Sequence, residues 1–125
     1  ERTPKKPAKP KAKAHTEVVY STVDKEELKL DFIVVNGDNA AAGFGITPAI
    51  CRDFFAAGAD VITGGDHIWD QKEIIPYLST EKRLLRPQNF PAKTPGNGHI
   101  LVNLPTGKKI LVIHILNMIK IFRKL

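Results

Sequence analysis

Asp66 and His67 stand side by side in the stretch GGDHIWDQ, residues 64–71. A carboxylate is a hard oxygen ligand for a divalent cation, and an imidazole can coordinate a metal or transfer a proton. The same residue types are also common in polar turns that precede a helix. The pattern therefore leaves two interpretations open, a metal-dependent catalytic site or a turn that caps the next helix.

A second polar cluster, Asp38 and Asn39, closes another apolar run of the chain. Both clusters are predicted to follow strands of one parallel sheet, whose carboxyl ends meet at the edge where α/β proteins bind ligands. Their oxygen donors, with His67 nitrogen, suit Mn, Fe or Zn better than a soft thiolate site would. In a two-metal phosphoesterase, Asp38 could bridge the cations and His67 could protonate the leaving oxygen.

The elements that must position these residues alternate between strand and helix. The run LDFIVVNG, residues 30–37, predicts a strand buried on both faces, and DVIT, residues 60–63, predicts a second buried strand. Between them, Thr47 as N-cap, Pro48 in the first turn and Gly58 as the stop predict a helix. The layout predicts an α/β fold with a parallel sheet covered by helices.

The second half of the chain continues the pattern. Asp70 and Glu73 have the spacing of a capping box for a helix in QKEIIPYLSTE, which Pro76 would restrict to a turn or two on either side. RLLRP predicts a short third strand. HILVNLPTGKKILVIHIL predicts two strands joined by a tight turn around Thr106-Gly107.

Composition limits the class of protein. The 125 residues allow one domain, and no apolar run approaches the roughly 20 residues that span a bilayer, so no membrane contact is expected. The single cysteine, Cys51, favours a reducing, cytoplasmic location and is expected to be a buried small hydrophobe. Residues 1–16 form a Lys/Pro-rich arm, expected to be disordered and solvated, with weak nucleic-acid contact as the less favoured alternative.

Other motifs favour structural roles. AAGFGIT lacks the spacing and the lysine of a phosphate loop, so we expect a tight turn that lets the chain pass close to another segment. A phosphate- or nucleotide-binding domain using the helix start at Thr47 stays an alternative. His99 and His114 are expected to be ordinary strand histidines, and Trp69 a packing residue beside the site.

Three blocks of the chain, LDFIVVNGDNAAAGFGIT, AGADVITGGDHIWDQKEI and RLLRPQNFPAKTPGNGH, resemble consecutive parts of the YmdB-like metallophosphoesterases. This bacterial branch of the calcineurin-like superfamily is similar to the chain over about residues 28–114. The resemblance implies an α/β/β/α fold, a dinuclear centre of divalent metal (Mn, Fe, Zn or Mg), and homo-oligomers. It also implies hydrolysis of phosphodiesters, including 2′,3′-cyclic nucleotides, by metal-activated water.

The resemblance also assigns roles by position. Asp38 matches the bridging carboxylate and Asn39 the neighbouring amide, so both are expected at the metal. Asp66 takes the place of a ligand Asn, which adds negative charge, and His67 matches the histidine that assists the leaving group or contacts phosphate.

Two parts of the family pattern are missing from the sequence. The first strand with its Gly-Asp ligand is replaced by other residues, and no His-x-His pair occurs. Residues 17–125 are therefore expected to form a partial metallophosphoesterase domain with one cation or none. Two functions follow as hypotheses, a metal-dependent phosphodiesterase, or a non-catalytic truncated remnant or interaction module with an incomplete metal site.

Overall fold

The computed structural model of the chain describes residues 25–116. Within this range, strands and helices alternate as predicted and end in a hairpin. In chain order the elements are β1 (Val34–Asn36), α1 (Pro48–Ala56), β2 (Val61–Thr63), α2 (Ile74–Thr80), β3 (Leu84–Leu85), β4 (His99–Asn103) and β5 (Lys109–Ile113). The arm at residues 1–16 lies outside the described residues. No helix within residues 25–116 is long and apolar enough to cross a membrane.

Three strands form a parallel sheet in the order β1-β2-β3. In its register Val35 is opposite Ile62, and Ile62 is in turn opposite Leu84. Because the strands are parallel, the chain leaves β1 and β2 at the same edge of the sheet. The predicted α/β architecture is confirmed. β4 and β5 form a separate two-stranded antiparallel sheet.

The prediction that the first strand is buried on both faces is wrong. β1 has only three residues, and Val34 at its start is 47% exposed. β1 lies at the edge of the three-stranded sheet, and no described strand pairs with its free side. β2 occupies the centre, and its Val61 and Ile62 are fully buried as predicted.

Helix α1 begins and ends where the sequence predicts. The Thr47 hydroxyl accepts the Ile50 N–H at 3.2 Å, and the helix is followed by Gly58 at φ +106°. One face carries Cys51 and Phe54 into the core. Burial raises the pKa of the Cys51 thiol to about 12, so the expected buried, unreactive cysteine is confirmed.

The predicted capping box at the start of α2 is wrong. Glu73 is the N-cap residue, but its side chain makes no capping hydrogen bond. The Asp70 carboxylate instead hydrogen-bonds to the His67 imidazole, with 2.7 Å between Oδ2 and Nδ1. Pro76 lies in the first turn of α2, where its missing N–H removes no helical hydrogen bond. The helix is still held in place, since Ile74 and Leu78 are fully buried.

The predicted hairpin is confirmed. The Leu104 N–H donates to the Lys108 carbonyl at 2.8 Å, and Gly107 occupies the turn at φ +83°. On one face of the hairpin, Leu101 and Leu111 are directly opposite each other and 56% exposed. After β5, the backbone of His114 bonds to Gly98 and Gln88, which fastens the hairpin to the segment following β3.

Candidate functional site

The Asp38 carboxylate joins the two strand exits. It follows β1, and its Oδ1 accepts the backbone N–H groups of Gly65 at 2.7 Å and His67 at 3.1 Å, both in the turn after β2. The Asp38 N–H donates to the Asn36 side chain, which orients the start of the loop. Gly65 and His67 flank Asp66, so the two polar clusters of the sequence meet at one edge of the sheet.

Two glycines make this close approach feasible. A Cβ at Gly65 would overlap the Asp38 carboxylate, so any side chain there would displace it. A Cβ at Gly45 would collide with the His67 carbonyl oxygen, and Gly45 also has φ +71°. The prediction that AAGFGIT is a tight turn passing close to another segment is therefore confirmed.

His67 is paired with Asp70. The imidazole Nδ1 lies 2.7 Å from Asp70 Oδ2, and since an ionised carboxylate only accepts, Nδ1–H is the donor. This hydrogen bond raises the pKa of His67, and the negative charges of Asp66, Asp70 and Asp38 add to the rise, while partial desolvation opposes it. The protonated ring therefore persists to higher pH than usual, and Nε2 is the nitrogen available to a ligand.

An exposed aromatic ring borders this pair. Phe44 is 61% exposed, and its ring stands edge-on to the His67 imidazole, with centroids 6.2 Å apart and planes at 86°. The Gln71 side-chain amide donates to the Phe44 carbonyl at 2.7 Å. Phe44 was not predicted from the sequence as a site residue. A phenylalanine between two glycines could have indicated an exposed side chain on a tight turn.

His114 approaches the site from the end of β5. Its Nε2 is buried and finds no hydrogen-bond partner among the described residues. Burial lowers the pKa of His114, while the nearby Gly64 backbone and Asp38 carboxylate oppose this shift. The expectation of an ordinary strand histidine did not foresee this position beside Asp38, because only the fold of the hairpin brings them together.

Trp69 packs beside the turn as expected. The centroids of the Trp69 and Phe90 rings are 4.9 Å apart and their planes are tilted by 50°. The Trp69 side chain also packs against the buried core cluster. The indole Nε1 is buried without a hydrogen-bond partner in the described part of the chain. Trp69 therefore fixes the turn after β2 by packing.

The residues predicted as metal ligands do not complete a metal site. Asp66 and Asn39 are exposed, while Asp38 Oδ1 is already occupied by two N–H donors. Within residues 25–116, no three His, Cys, Asp or Glu side chains are grouped so that they could hold one ion. Asp38, Asn39 and Asp66 therefore stay predicted ligands, and donors from elsewhere would be needed.

The fold and the site define an α/β protein with a carboxylate- and histidine-bearing centre at the carboxyl edge of its parallel strands. The family described as YmdB-like protein matches residues 13–124. The chain belongs to this family, which confirms the resemblance found in its sequence blocks. Family membership implies a divalent metal as cofactor.

A relative with a named activity matches part of the chain in sequence. The chain is 43% identical over 91 residues to a 2′,3′-cyclic-nucleotide 2′-phosphodiesterase of Bacillus subtilis (strain 168), covering 73% of the chain and 34% of that protein. It therefore spans about a third of the length of this curated relative.

Two crystal structures confirm the partial α/β metallophosphoesterase fold. A hypothetical protein from Thermus thermophilus superposes with a TM-score of 0.74 at 29% identity, over 82% of this chain and 40% of that one. A phosphatase from Mycoplasma pneumoniae superposes with a TM-score of 0.73 at 26% identity, over 84% of this chain and 39% of that one.

Proposed function

We propose that this chain is part of a metal-dependent phosphodiesterase that hydrolyses phosphodiesters such as 2′,3′-cyclic nucleotides. The proposal rests on the position of the Asp38 carboxylate. Its Oδ1 accepts hydrogen bonds from the Gly65 N–H at 2.7 Å and the His67 N–H at 3.1 Å, which holds the turn after β2 and places His67 at the sheet edge. The cyclic-nucleotide phosphodiesterase of Bacillus subtilis, 43% identical, supports the substrate class. The substrate is thus a small molecule.

His67 is the proton donor in this proposal. When the bond between phosphorus and the leaving oxygen breaks, the imidazolium gives its Nε2 proton to that oxygen and becomes neutral imidazole. Asp70 keeps its hydrogen bond to Nδ1 throughout, which orients the ring. The raised pKa of His67 supports the role, because a general acid must be protonated at working pH.

This chain would contribute Asp38, Asn39 and Asp66 to a divalent-metal centre. The described residues do not complete such a centre, so the remaining ligands would come from other residues. Asp66 adds a negative charge that attracts a cation and repels the phosphate of a substrate. Element analysis of the purified protein would distinguish Mn, Fe, Zn and Mg.

Hydrolysis of adenosine 2′,3′-cyclic phosphate and bis-p-nitrophenyl phosphate by the full protein, with Mn²⁺ added, tests the proposal. His67→Gln is expected to lower the rate by about 10²- to 10⁴-fold, the usual contribution of a general acid. His99→Gln is the matched control, since His99 lies on the hairpin and bonds to Gln88. Equal rates for His67→Gln and wild type would refute the role of His67.

A non-catalytic interaction module with an incomplete metal site is the second candidate. The exposed apolar hairpin face favours it, because Leu101, Leu111 and Ile113 are each at least half exposed. Residues 17–125 would then form a partial domain that associates into homo-oligomers, while the basic arm, residues 1–16, would add weak contact to nucleic acid. Size-exclusion chromatography at low and high salt tests this, since a monomer at both salt concentrations would contradict association.

We also propose a cytoplasmic location, based on the cysteine content of the chain. The chain has one cysteine, Cys51, and it is buried and protonated, so no disulfide between its own residues is available to it. A cytoplasmic location fits this use of cysteine. Localisation of a tagged full-length protein by fractionation tests it.

A further inference from the structure

Phe44 is an exposed aromatic side chain at the site to which the proposed chemistry assigns no role. At 61% exposure the ring is mostly in water, and it stands next to the His67 imidazole at the carboxyl edge of the parallel strands. Its ring makes an edge-on contact with the His67 imidazole, with 6.2 Å between the ring centroids. The faces of the ring that the imidazole does not cover are therefore available to a ligand.

The backbone beneath Phe44 is held on both sides. The Gly45 N–H donates to the Asp38 carbonyl at 2.8 Å, and the Phe44 N–H donates to the Ala41 carbonyl at 3.0 Å. The Phe44 carbonyl accepts from the Gln71 side chain at 2.7 Å. Since Asp38 and Gln71 lie on the two strand-exit segments, the backbone of Phe44 is anchored beside His67, and only the side-chain torsions of Phe44 move its ring. A phenylalanine has only two side-chain torsions, so ordering its ring against a flat ligand costs little side-chain entropy.

The negative charge at the site works against binding of the phosphate group of a nucleotide. Asp38, Asp66 and Asp70 all surround His67 with negative charge, which repels a phosphate group. Stacking of a base on an aromatic ring depends on the π-face, so it is insensitive to this charge and tolerates every base. Stacking on Phe44 can thus supply binding free energy that offsets the repulsion between the acidic side chains and the phosphate of a nucleotide.

The position of the ring also matches the chemistry of a nucleotide. In a cyclic nucleotide the base and the leaving oxygen belong to the same ribose. A base near Phe44 would therefore lie within one sugar of the oxygen that His67 protonates. We infer that Phe44 is the nucleobase-stacking residue of this site and selects nucleoside phosphodiesters over phosphodiesters without a base, an inference that rests on the proposed function.

Paired substrates test this selectivity in the full protein. Wild type, Phe44→Ala, Phe44→Leu and Phe44→Trp are compared on adenosine 2′,3′-cyclic phosphate and on methyl riboside 2′,3′-cyclic phosphate, which has no base. Phe44→Ala should raise KM for the adenosine substrate by roughly 5- to 150-fold, the range of one lost base stack, and leave kcat unchanged. Phe44→Leu should resemble Phe44→Ala, and Phe44→Trp should resemble wild type. The substrate without a base should show the same KM in all four.

A binding measurement separates this inference from the proposed function. The Kd of adenosine 2′-monophosphate is measured by NMR titration of the same four proteins, which needs no turnover. Absence of hydrolysis by wild type, together with the predicted Kd pattern, would refute the proposed function and support stacking by Phe44. Equal Kd values in wild type and Phe44→Ala, or no nucleotide binding by wild type, would overturn the stacking role. An equal loss for both substrates would also overturn it, because it would show that Phe44 only supports the fold.

Discussion

Gly65→Ala should disconnect the two strand exits. Gly65 does not have a positive φ, so alanine is acceptable to its backbone, but the added Cβ would occupy the space of the Asp38 carboxylate. The carboxylate would have to move, and its hydrogen bonds from the Gly65 and His67 N–H groups would be lost. The substitution therefore tests the link between the two loops without changing a charge.

The magnitude follows from the two hydrogen bonds. Each bond to a charged group contributes about 1.5–3 kcal/mol, so their loss costs about 3–6 kcal/mol at most. The Asp38 side chain is only partly buried, and water regained by the freed carboxylate reduces the expected loss to about 2–4 kcal/mol. This is a large fraction of the stability of a typical domain, about 5–15 kcal/mol.

Urea denaturation of a double-mutant cycle measures the effect. Gly65→Ala, Asp38→Ala and the double variant are compared with wild type at constant pH. Without the carboxylate there is nothing for the new methyl group to displace. Gly65→Ala should therefore cost about 2–4 kcal/mol in wild type and less than about 1 kcal/mol in the Asp38→Ala background. Equal costs in both backgrounds would refute the reasoning.

Three further predictions follow from the titratable groups. Asp70→Asn should lower the pKa of His67, because the hydrogen bond that raises this pKa is weakened. The pH at which the hydrolysis rate falls on the alkaline side should then be lower, since the general acid loses its proton at lower pH. An unchanged titration of the His67 imidazole by NMR would contradict this. Cys51, with a pKa of about 12, should react with a thiol reagent much more slowly in native than in urea-unfolded protein at pH about 8, and equal rates would contradict its burial. Because the pKa of His114 is lowered in the folded protein, its neutral form contributes stability that is present above about pH 6.5 and lost as pH falls. The urea midpoint of His114→Asn should therefore decrease less between neutral and acidic pH than that of wild type. Equal decreases in the two proteins would contradict this.

Local patterns predicted much of the fold. The Thr47-Pro48 start of α1, the buried run at β2 and the turn at Gly107 each depend on neighbouring residues, and the structure has all three. The meeting of the two polar clusters followed from one topological rule, since parallel strands end at the same edge. The sequence could therefore indicate that Asp38 and His67 are neighbours.

Contacts between distant segments could not be read in this way. The apolar run of β1 looks like a central strand, but its burial depends on a neighbour that pattern alone does not reveal. Asp70 has the spacing of a cap, yet it binds His67, because two local partners compete for one carboxylate. His114 reaches the site only through the hairpin, which lies far along the chain from Asp38.

The rate of adenosine 2′,3′-cyclic phosphate hydrolysis, measured while Mn²⁺ is titrated, tests most directly whether the Asp38 site is a metal-dependent phosphodiesterase centre. Asp38→Asn keeps an acceptor oxygen for the Gly65 N–H, and Asp53→Asn on the exposed side of α1 is the matched control. We expect metal-stimulated hydrolysis by wild type and Asp53→Asn, and a loss of at least about tenfold in Asp38→Asn. The full protein is used for all three, because the described residues do not complete a metal centre. Equal rates in all three proteins, or no metal-stimulated hydrolysis by wild type, would contradict the account.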